Sequence, residues 1–201
     1  MNAYRYVLSA VLFSVAIALS VTYDSGTNAA PNGSRSVGDP APNFQVNDHR
    51  GELWSLDEQT GNQPVVLYFY PAAMTSGCTK QACSYRDNQS SLQDQGVRVI
   101  GISGDPVRNL QLFRSANDLN FTLLSDPDGS VARKFGVPVG EGGSIQRTID
   151  GQKYTLKRGG TFNRWTFVID QEGTIAYVNR DVTPSEDPEN IRSAVRKLKD
   201  K

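Results

Sequence analysis

The chain has 201 residues, 38% of them hydrophobic and 21% charged, which suits one ordinary globular domain with some chain to spare. Lysine plus arginine number 21 and aspartate plus glutamate 21, so no long-range field favours nucleic acid or an acidic surface, and small, weakly charged partners are the natural ones. A single histidine, His49, and two cysteines, Cys78 and Cys83, are too poor an inventory for an ordinary zinc site, and the usual general base is missing from most hydrolytic schemes.

At the N-terminus one cation, Arg5, precedes an uncharged run from Tyr6 to Tyr23. The run is apolar all round rather than on one face, which disfavours an amphipathic core helix. Its length lies between the apolar region of a signal peptide, about 7–15 residues, and the ~20 of a membrane span. Residues 1–23 are therefore read as a signal peptide, with Ala18 and Ser20 as the small residues before a cleavage site, or as a membrane anchor. Residues 24–38, rich in Ser, Gly and Asn, have little to bury and read as a flexible linker. Residues 39–201 are expected to form one domain.

Within that domain, "NFQVNDHRGELWSL" alternates around an Asp48 to Gly51 turn and predicts a hairpin. "PVVLYFYP" is a continuous β-branched and aromatic run stopped by Pro71, as a buried central strand requires, and it leads through a short loop into a helix from about Cys78 to Gln95, closed by Gly96. "VRVIGIS" predicts a second buried strand. Asp105 and Pro106 then read as the N-cap and first-turn proline of a helix carrying Leu110, Phe113 and Leu119. "FTLLSD" repeats the strand pattern, and a short helix fits Gly129 to Phe135. "SIQRTIDGQKYTL" alternates around Asp150-Gly151 like an exposed hairpin. "WTFVID" and "TIAYVNR" are two strands joined by a tight turn, and a final helix after Asp187-Pro188 places Ile191, Ala194, Val195 and Leu198 on one face. Strands alternating with helices predict an α/β fold with a mixed, mainly parallel central sheet flanked by helices on both faces, preceded by the N-terminal β-hairpin, with the closing hairpin supplying antiparallel edge strands.

Sites in such sheets gather at the carboxyl ends of the strands, and Cys78 lies just beyond one of them, on or before the first turn of a helix. Free N–H groups and the helix dipole stabilise a thiolate there, so Cys78 is the candidate nucleophile. The plainer reading is a small buried hydrophobe, the common fate of a lone cysteine, against which stand the polar neighbours Thr75, Ser76 and Thr79. The five-residue spacing to Cys83 fits neither a Cys-x-x-Cys redox pair nor a zinc knuckle, and a structural bridge usually staples segments far apart in sequence.

A strand ending in Phe69-Tyr70-Pro71, the pattern Pro-x-x-x-Thr-x-x-Cys at Pro71, Thr75 and Cys78, a second cysteine five residues on, and Arg86-Asp87-Asn88 behind it closely resemble the active-site segment of the Q-type peroxiredoxins, also called bacterioferritin-comigratory proteins. "VIGISGD", "FTLLSDPDGSVARKFGV" and "RWTFVID" are also similar to that family, so the resemblance runs from Val37 to Lys199. It implies a thioredoxin-like fold and a thiol peroxidase that reduces hydrogen peroxide or organic hydroperoxides without metal, haem or flavin. Cys78 is then the peroxidatic cysteine, Thr75 orients the peroxide, Pro71 shields the thiolate, and Arg164 stabilises both the thiolate and the charge developing on the peroxide oxygens. Cys83 is the resolving cysteine, forming an intramolecular disulfide that a thioredoxin-like dithiol reduces.

Helical residues five apart lie roughly 8–9 Å apart at Cα, whereas a disulfide needs less than ~7 Å, so the resemblance further implies that the helix unwinds before the bond forms. A permanent local bridge in an exported protein is the structural alternative. Ser76, where many members have proline, Trp165, where a small residue is usual, and a long segment from Gly140 to Gly160 depart from the family pattern. The competing functions are a thiol–disulfide oxidoreductase and a non-enzymatic, redox-switched binding or chaperone module; peroxide consumption separates the peroxidase from both. A monomer is expected, touching a membrane only through its N-terminal segment, in a bacterial periplasm or envelope, with a thylakoid lumen as the alternative.

Overall fold

A computed structural model describes residues 33–199. Its centre is a five-stranded sheet built from β3 (Val65–Phe69), β4 (Arg98–Ser103), β5 (Thr122–Ser125), β8 (Trp165–Ile169) and β9 (Ile175–Asn179), in the order β5-β4-β3-β8-β9. The β3–β4 and β4–β5 pairs are parallel, and β3–β8 and β8–β9 antiparallel. The sheet is thus evenly mixed rather than mainly parallel, and only β9 of the closing hairpin is an edge. Strand β8 is interior: its run Trp165 to Ile169, apolar except for Thr166, is buried along its whole length between β3 and β9.

Alternation along the strands divides the core in two. Val65, Leu67 and Phe69 point to one face with Trp165, Phe167 and Ile169, where Phe44, Trp54, Leu56, Val131 and Phe135 cover them. That face is closed by the small β1–β2 hairpin (Gln45–Asn47 and Leu53–Ser55) and the short α4 (Ser130–Lys134), so helices cover both faces, the one on this side being short. Phe69 lies 5.5 to 6.3 Å, centroid to centroid, from the rings of Phe135, Phe162 and Phe167. Burying such a ring stabilises by about 1.5–3 kcal/mol. Val66, Tyr68 and Val168 point to the opposite face and pack on Ala82 and Tyr85 of α1 (Ser76–Asp87), Leu92 of α2 (Gln89–Asp94), Leu110 and Phe113 of α3 (Val107–Ala116), and Ile191 and Val195 of α5 (Asp187–Lys199).

The single helix expected from Cys78 to Gln95 is two. It begins earlier, at Ser76, and breaks at Asn88, whose backbone leaves helical geometry (φ −100°, ψ 5°) while its side chain donates to the Ser84 carbonyl at 2.9 Å. Asparagine competes in this way with the helical ladder. Gly96 closes α2 as anticipated, at φ 68°, with Gly96 N–H on the Gln93 carbonyl and Val97 N–H on the Leu92 carbonyl. The Asp105-Pro106 reading also shifts by one position: Pro106 occupies the N-cap and Val107 opens α3, because the Asp105 carboxylate is engaged elsewhere. Leu119 is buried but lies beyond the end of α3.

The hairpin around Asp150-Gly151 forms with both turn residues at positive φ, as a tight antiparallel turn demands, and extends further than the alternation alone suggests, over β6 (Val139–Ile149) and β7 (Gln152–Phe162). Its base is seated by Gly159 N–H on the Gly104 carbonyl at 2.9 Å. Glycine is required at 104, where a Cβ would stand 2.3 Å from the Gly160 oxygen. At the other end of the domain, Gly38 and Ala41 donate to the Ile175 and Gly173 carbonyls at 2.8 Å, and Arg35 N–H reaches the Phe135 carbonyl at 3.4 Å, so residues 35–38, assigned above to the linker, hydrogen-bond to the folded chain. The apolar run from Tyr6 to Tyr23 lies outside the described residues. Among those described, no helix is long and apolar enough to cross a membrane.

Asp126, buried after β5, accepts the N–H groups of Val131 and Ala132 at 3.2 and 2.9 Å and so ties α4 to the sheet. Burial lifts its pKa from 3.8 to about 6 against the pull of these bonds. Between those values the folded state holds a proton that the unfolded chain has released, so the contribution is full below pH 3.8 and lost as pH rises through about 6. Urea unfolding across about pH 4 to 7 should show the parent losing stability relative to Asp126→Asn as pH rises; a pH-independent difference between the two would contradict this assignment.

Candidate active site

The register of β3 against β8 builds the site. Phe69 pairs with Trp165, which sets Arg164 one step beyond the pair, at the carboxyl end of β3 where the chain leaves through Tyr70 and Pro71. Alternation then sends Thr166 and Val168 toward the α1 face and Trp165 toward the other, where Arg180 lies over its ring at 4.9 Å. Trp165 packs in the core on the side of the sheet opposite Cys78.

Cys78 is the third residue of α1, 2% exposed, and packs with Tyr68, Tyr70, Ala73 and Tyr85. So far it satisfies the plain reading of a buried apolar side chain. What sets it apart is Arg164, whose Nη2 donates to the Cys78 Sγ at 3.4 Å. The first turn of α1 contains no carboxylate, and its N-cap, Thr75, makes no side-chain bond to it, so nothing in the turn offsets the positive end of the helix dipole. Gly77 leaves room for the arginine: a Cβ there would already touch Arg164 Nη2 at 3.4 Å.

The loop from Pro71 to Thr75 is held at several points. Asp105 accepts Ala73 N–H at 2.7 Å and is itself fixed by Ser103 Oγ and Asn109 Nδ2, each at 3.0 Å. Arg147, on the long hairpin, donates from Nε to the Met74 carbonyl at 2.8 Å, where Met74 adopts φ 65°, a left-handed conformation uncommon outside glycine. Thr75 Oγ1 donates to the Ala72 carbonyl at 2.9 Å, which spends its one proton and leaves its lone pairs free to accept. Pro71 is half-buried at the start of the same loop, and Ser76 takes the first helical position, where proline is also well tolerated.

Cys78 and Cys83 are both free thiols. Both lie within α1, with Cys78 buried and Cys83 half-buried, about 140° apart around the helix axis. Of the five residues singled out from the sequence, the structure brings Cys78 and Arg164 into contact, places Pro71 and Thr75 on the loop leading into α1, and leaves Cys83 on another side of the helix.

Four residues of the site were not singled out. Gln81 accepts Arg164 Nη1 at 2.5 Å and donates to Asp187 Oδ2 at 2.8 Å. Asp187 is fully buried, and burial raises its carboxyl pKa while bonds from Tyr85, Thr166 and Gln81 and the charge of Arg164 oppose the rise. Asp105 and Asp187 each read as helix starts from the Asp-Pro signal, which conceals a carboxylate turned inward; Arg147 carries no local signal at all. His49 belongs elsewhere: its Nδ1 accepts Leu123 N–H at 3.4 Å, and it lines an open groove with Arg50, Arg114 and Phe121.

Residues 37–178 match the model of the AhpC/TSA family. The chain is 44% identical over 149 residues to peroxiredoxin Bcp of Escherichia coli, covering 74% of this chain and 88% of that protein. It is 37% identical over 174 residues to the chloroplastic peroxiredoxin Q of Oryza sativa subsp. japonica, covering 87% of this chain and 72% of the other. Among solved structures, peroxidoxin BcpB of Mycobacterium tuberculosis superposes with a TM-score of 0.67 at 33% identity over 81% of this chain and 97% of its own. A cysteine-to-serine variant of PrxQ from Xylella fastidiosa gives 0.66 at 25% identity over 83% and 98%. The chain therefore belongs to the AhpC/TSA family, as a thiol-dependent peroxidase of the peroxiredoxin Q/Bcp kind with a thioredoxin-like fold.

Proposed function

We propose that Cys78 is the peroxidatic and Cys83 the resolving cysteine of this peroxidase, and that a thioredoxin-like dithiol recycles it. The observation that carries the reading is the Arg164 guanidinium on the Cys78 sulfur at the N-terminus of α1. The Cys78 thiolate attacks the terminal oxygen of a hydroperoxide: an S–O bond forms, the O–O bond breaks, and the alkoxide or hydroxide that leaves takes a proton from water. Arg164 supports the thiolate before the step and the charge on oxygen during it. Thr75 accepts the hydroperoxide O–H through its free lone pairs, and Pro71 keeps water from the sulfur. Cys83 then attacks the sulfenic sulfur, forming the disulfide and releasing water. The external dithiol reduces that disulfide by exchange and is itself oxidised.

Resolution is incompatible with an intact α1. The two Cα atoms are about 8–9 Å apart in a helix, and a disulfide needs less than ~7 Å. The break at Asn88 lets α1 unwind without drawing α2 with it. At its far end, Arg86 Nη1 on the Asn117 carbonyl at 2.7 Å ties the segment to the α3–β5 loop. The uncharged run from Tyr6 to Tyr23 supports export to, or anchoring in, a bacterial envelope; fractionation of the native host should find the protein there, and recovery of the full-length chain from the cytosol would overturn this part.

Cys78→Ser should abolish peroxide reduction, whereas Cys83→Ser should still reduce about one equivalent of peroxide and stop at the sulfenic acid, because attack and resolution are separate steps. Full activity in both variants would remove the cysteines from the mechanism. Amide exchange should quicken from Thr79 to Arg86 in the disulfide form, with Val65 to Phe69 and Arg98 to Ser103 still protected. Equal protection of α1 in both redox states would mean that the bond forms without unwinding.

A further inference from the structure

Asp187 is the most deeply buried charged group near the site, and its environment is one-sided. Three donors converge on Oδ2: Gln81 Nε2 at 2.8 Å, Tyr85 OH at 2.7 Å and Thr166 Oγ1 at 2.8 Å. Among the described residues its Oδ1 has no partner. Two of the donors come from α1 and one from β8, while Asp187 itself opens α5, so a single carboxylate oxygen joins three elements.

The Gln81 amide lies between this carboxylate and Arg164. A carboxylate only accepts and a guanidinium only donates, so the amide has one satisfactory orientation, with NH2 toward Asp187 and oxygen toward Arg164. That oxygen holds Nη1, and the same guanidinium presents Nη2 to the Cys78 sulfur. Among the described residues no carboxylate is within ion-pair distance of Arg164. The arrangement therefore fixes the arginine without placing a negative charge directly on it, and its positive charge stays directed at the sulfur.

We infer that Asp187 is a positioning residue with two opposed effects: through Gln81 it aims Arg164 at Cys78 and speeds peroxide attack, and by holding Gln81 and Tyr85 it clamps α1 and slows the unwinding that disulfide formation requires. Two of its three hydrogen bonds must break before Cys83 can reach the sulfenic sulfur. The time for which the sulfenic acid persists is thus set partly by a residue on α5 that touches neither cysteine. This rests on the assignment of Cys78, which Cys78→Ser tests separately, whereas the variants below keep both thiols.

Asp187→Asn keeps the shape and removes the charge. In single-turnover experiments, peroxide attack should slow about tenfold, while the disulfide forms faster once the sulfenic acid is present. Combined with Gln81→Leu, the loss in attack should be less than the product of the two separate losses, since both act through Arg164. Should Asp187→Asn fail to fold, Tyr85→Phe releases one tie on α1 and should speed disulfide formation by more than it changes attack. An unchanged rate of attack, or attack and resolution slowed by the same factor with a lowered melting temperature, would reduce Asp187 to a structural role and overturn the inference. So would fully multiplicative losses in the double variant, or unchanged resolution in Tyr85→Phe.

Discussion

The antiparallel pairing of β3 with β8 is the constraint on which the rest of the site depends. Pairing Phe69 with Trp165 puts the start of β8 beside the end of β3, so Arg164 meets the first turn of the helix that β3 feeds. A shift of one residue would exchange the faces of Arg164 and Trp165, sending a guanidinium into the aromatic core and an indole against the thiol. The buried aromatic cluster around Phe69, Phe135 and Phe167 makes that slip costly, so packing on one face of the sheet secures the chemistry on the other.

The roles proposed for Cys78 and Cys83 place two conflicting demands on α1. A thiolate needs an ordered helix terminus and a fixed cation, whereas a disulfide to Cys83 needs that order gone. The helix is accordingly short, ended by Asn88, and its inward face mixes Ala82 and Tyr85 with the polar Gln81 rather than presenting an unbroken apolar stripe. Directed polar bonds hold it in its catalytic form. Such bonds are worth about 0.5–1.5 kcal/mol each, somewhat more to a charged group, so they position side chains sharply yet can be given up within a cycle.

Around this, the supporting contacts are concentrated on backbone atoms of the loop from Pro71 to Thr75. Asp105 takes one N–H and Arg147 supplies one donor to a carbonyl, from two elements that do not adjoin each other in sequence. The long hairpin thereby becomes part of the support for the loop, its base fitted to β4 where only glycine allows the approach. The backbone conformation of the loop ahead of Cys78 is thus set from outside the loop.

Much of this was legible beforehand, for identifiable reasons. The runs Val65 to Phe69 and Trp165 to Ile169 are too apolar to be anything but buried strands, Asp150-Gly151 specifies its turn by local sterics, and Cys78 after a strand and before a helix announces a thiol at a dipole. The family resemblance pointed to Arg164, which the structure places against Cys78, and to Thr75, which it places at the N-cap of α1. The break at Asn88 escaped because its cause is a side chain competing with the backbone, and the N-cap of α3 was misplaced because the Asp105 carboxylate bonds Ala73 N–H and the Ser103 and Asn109 side chains instead of the helix's own N–H groups. Local pattern therefore determined the strands, the turns and the place of Cys78 in the first turn of a helix, all of which depend on neighbours within a few residues. The face on which Arg164 lands, the Gln81 to Asp187 connection and the grip of Arg147 on Met74 join residues 83, 106 and 73 positions apart. Only the tertiary structure decided them, because a hydrogen bond across such distances depends on sheet register and helix docking, which no stretch of sequence encodes by itself.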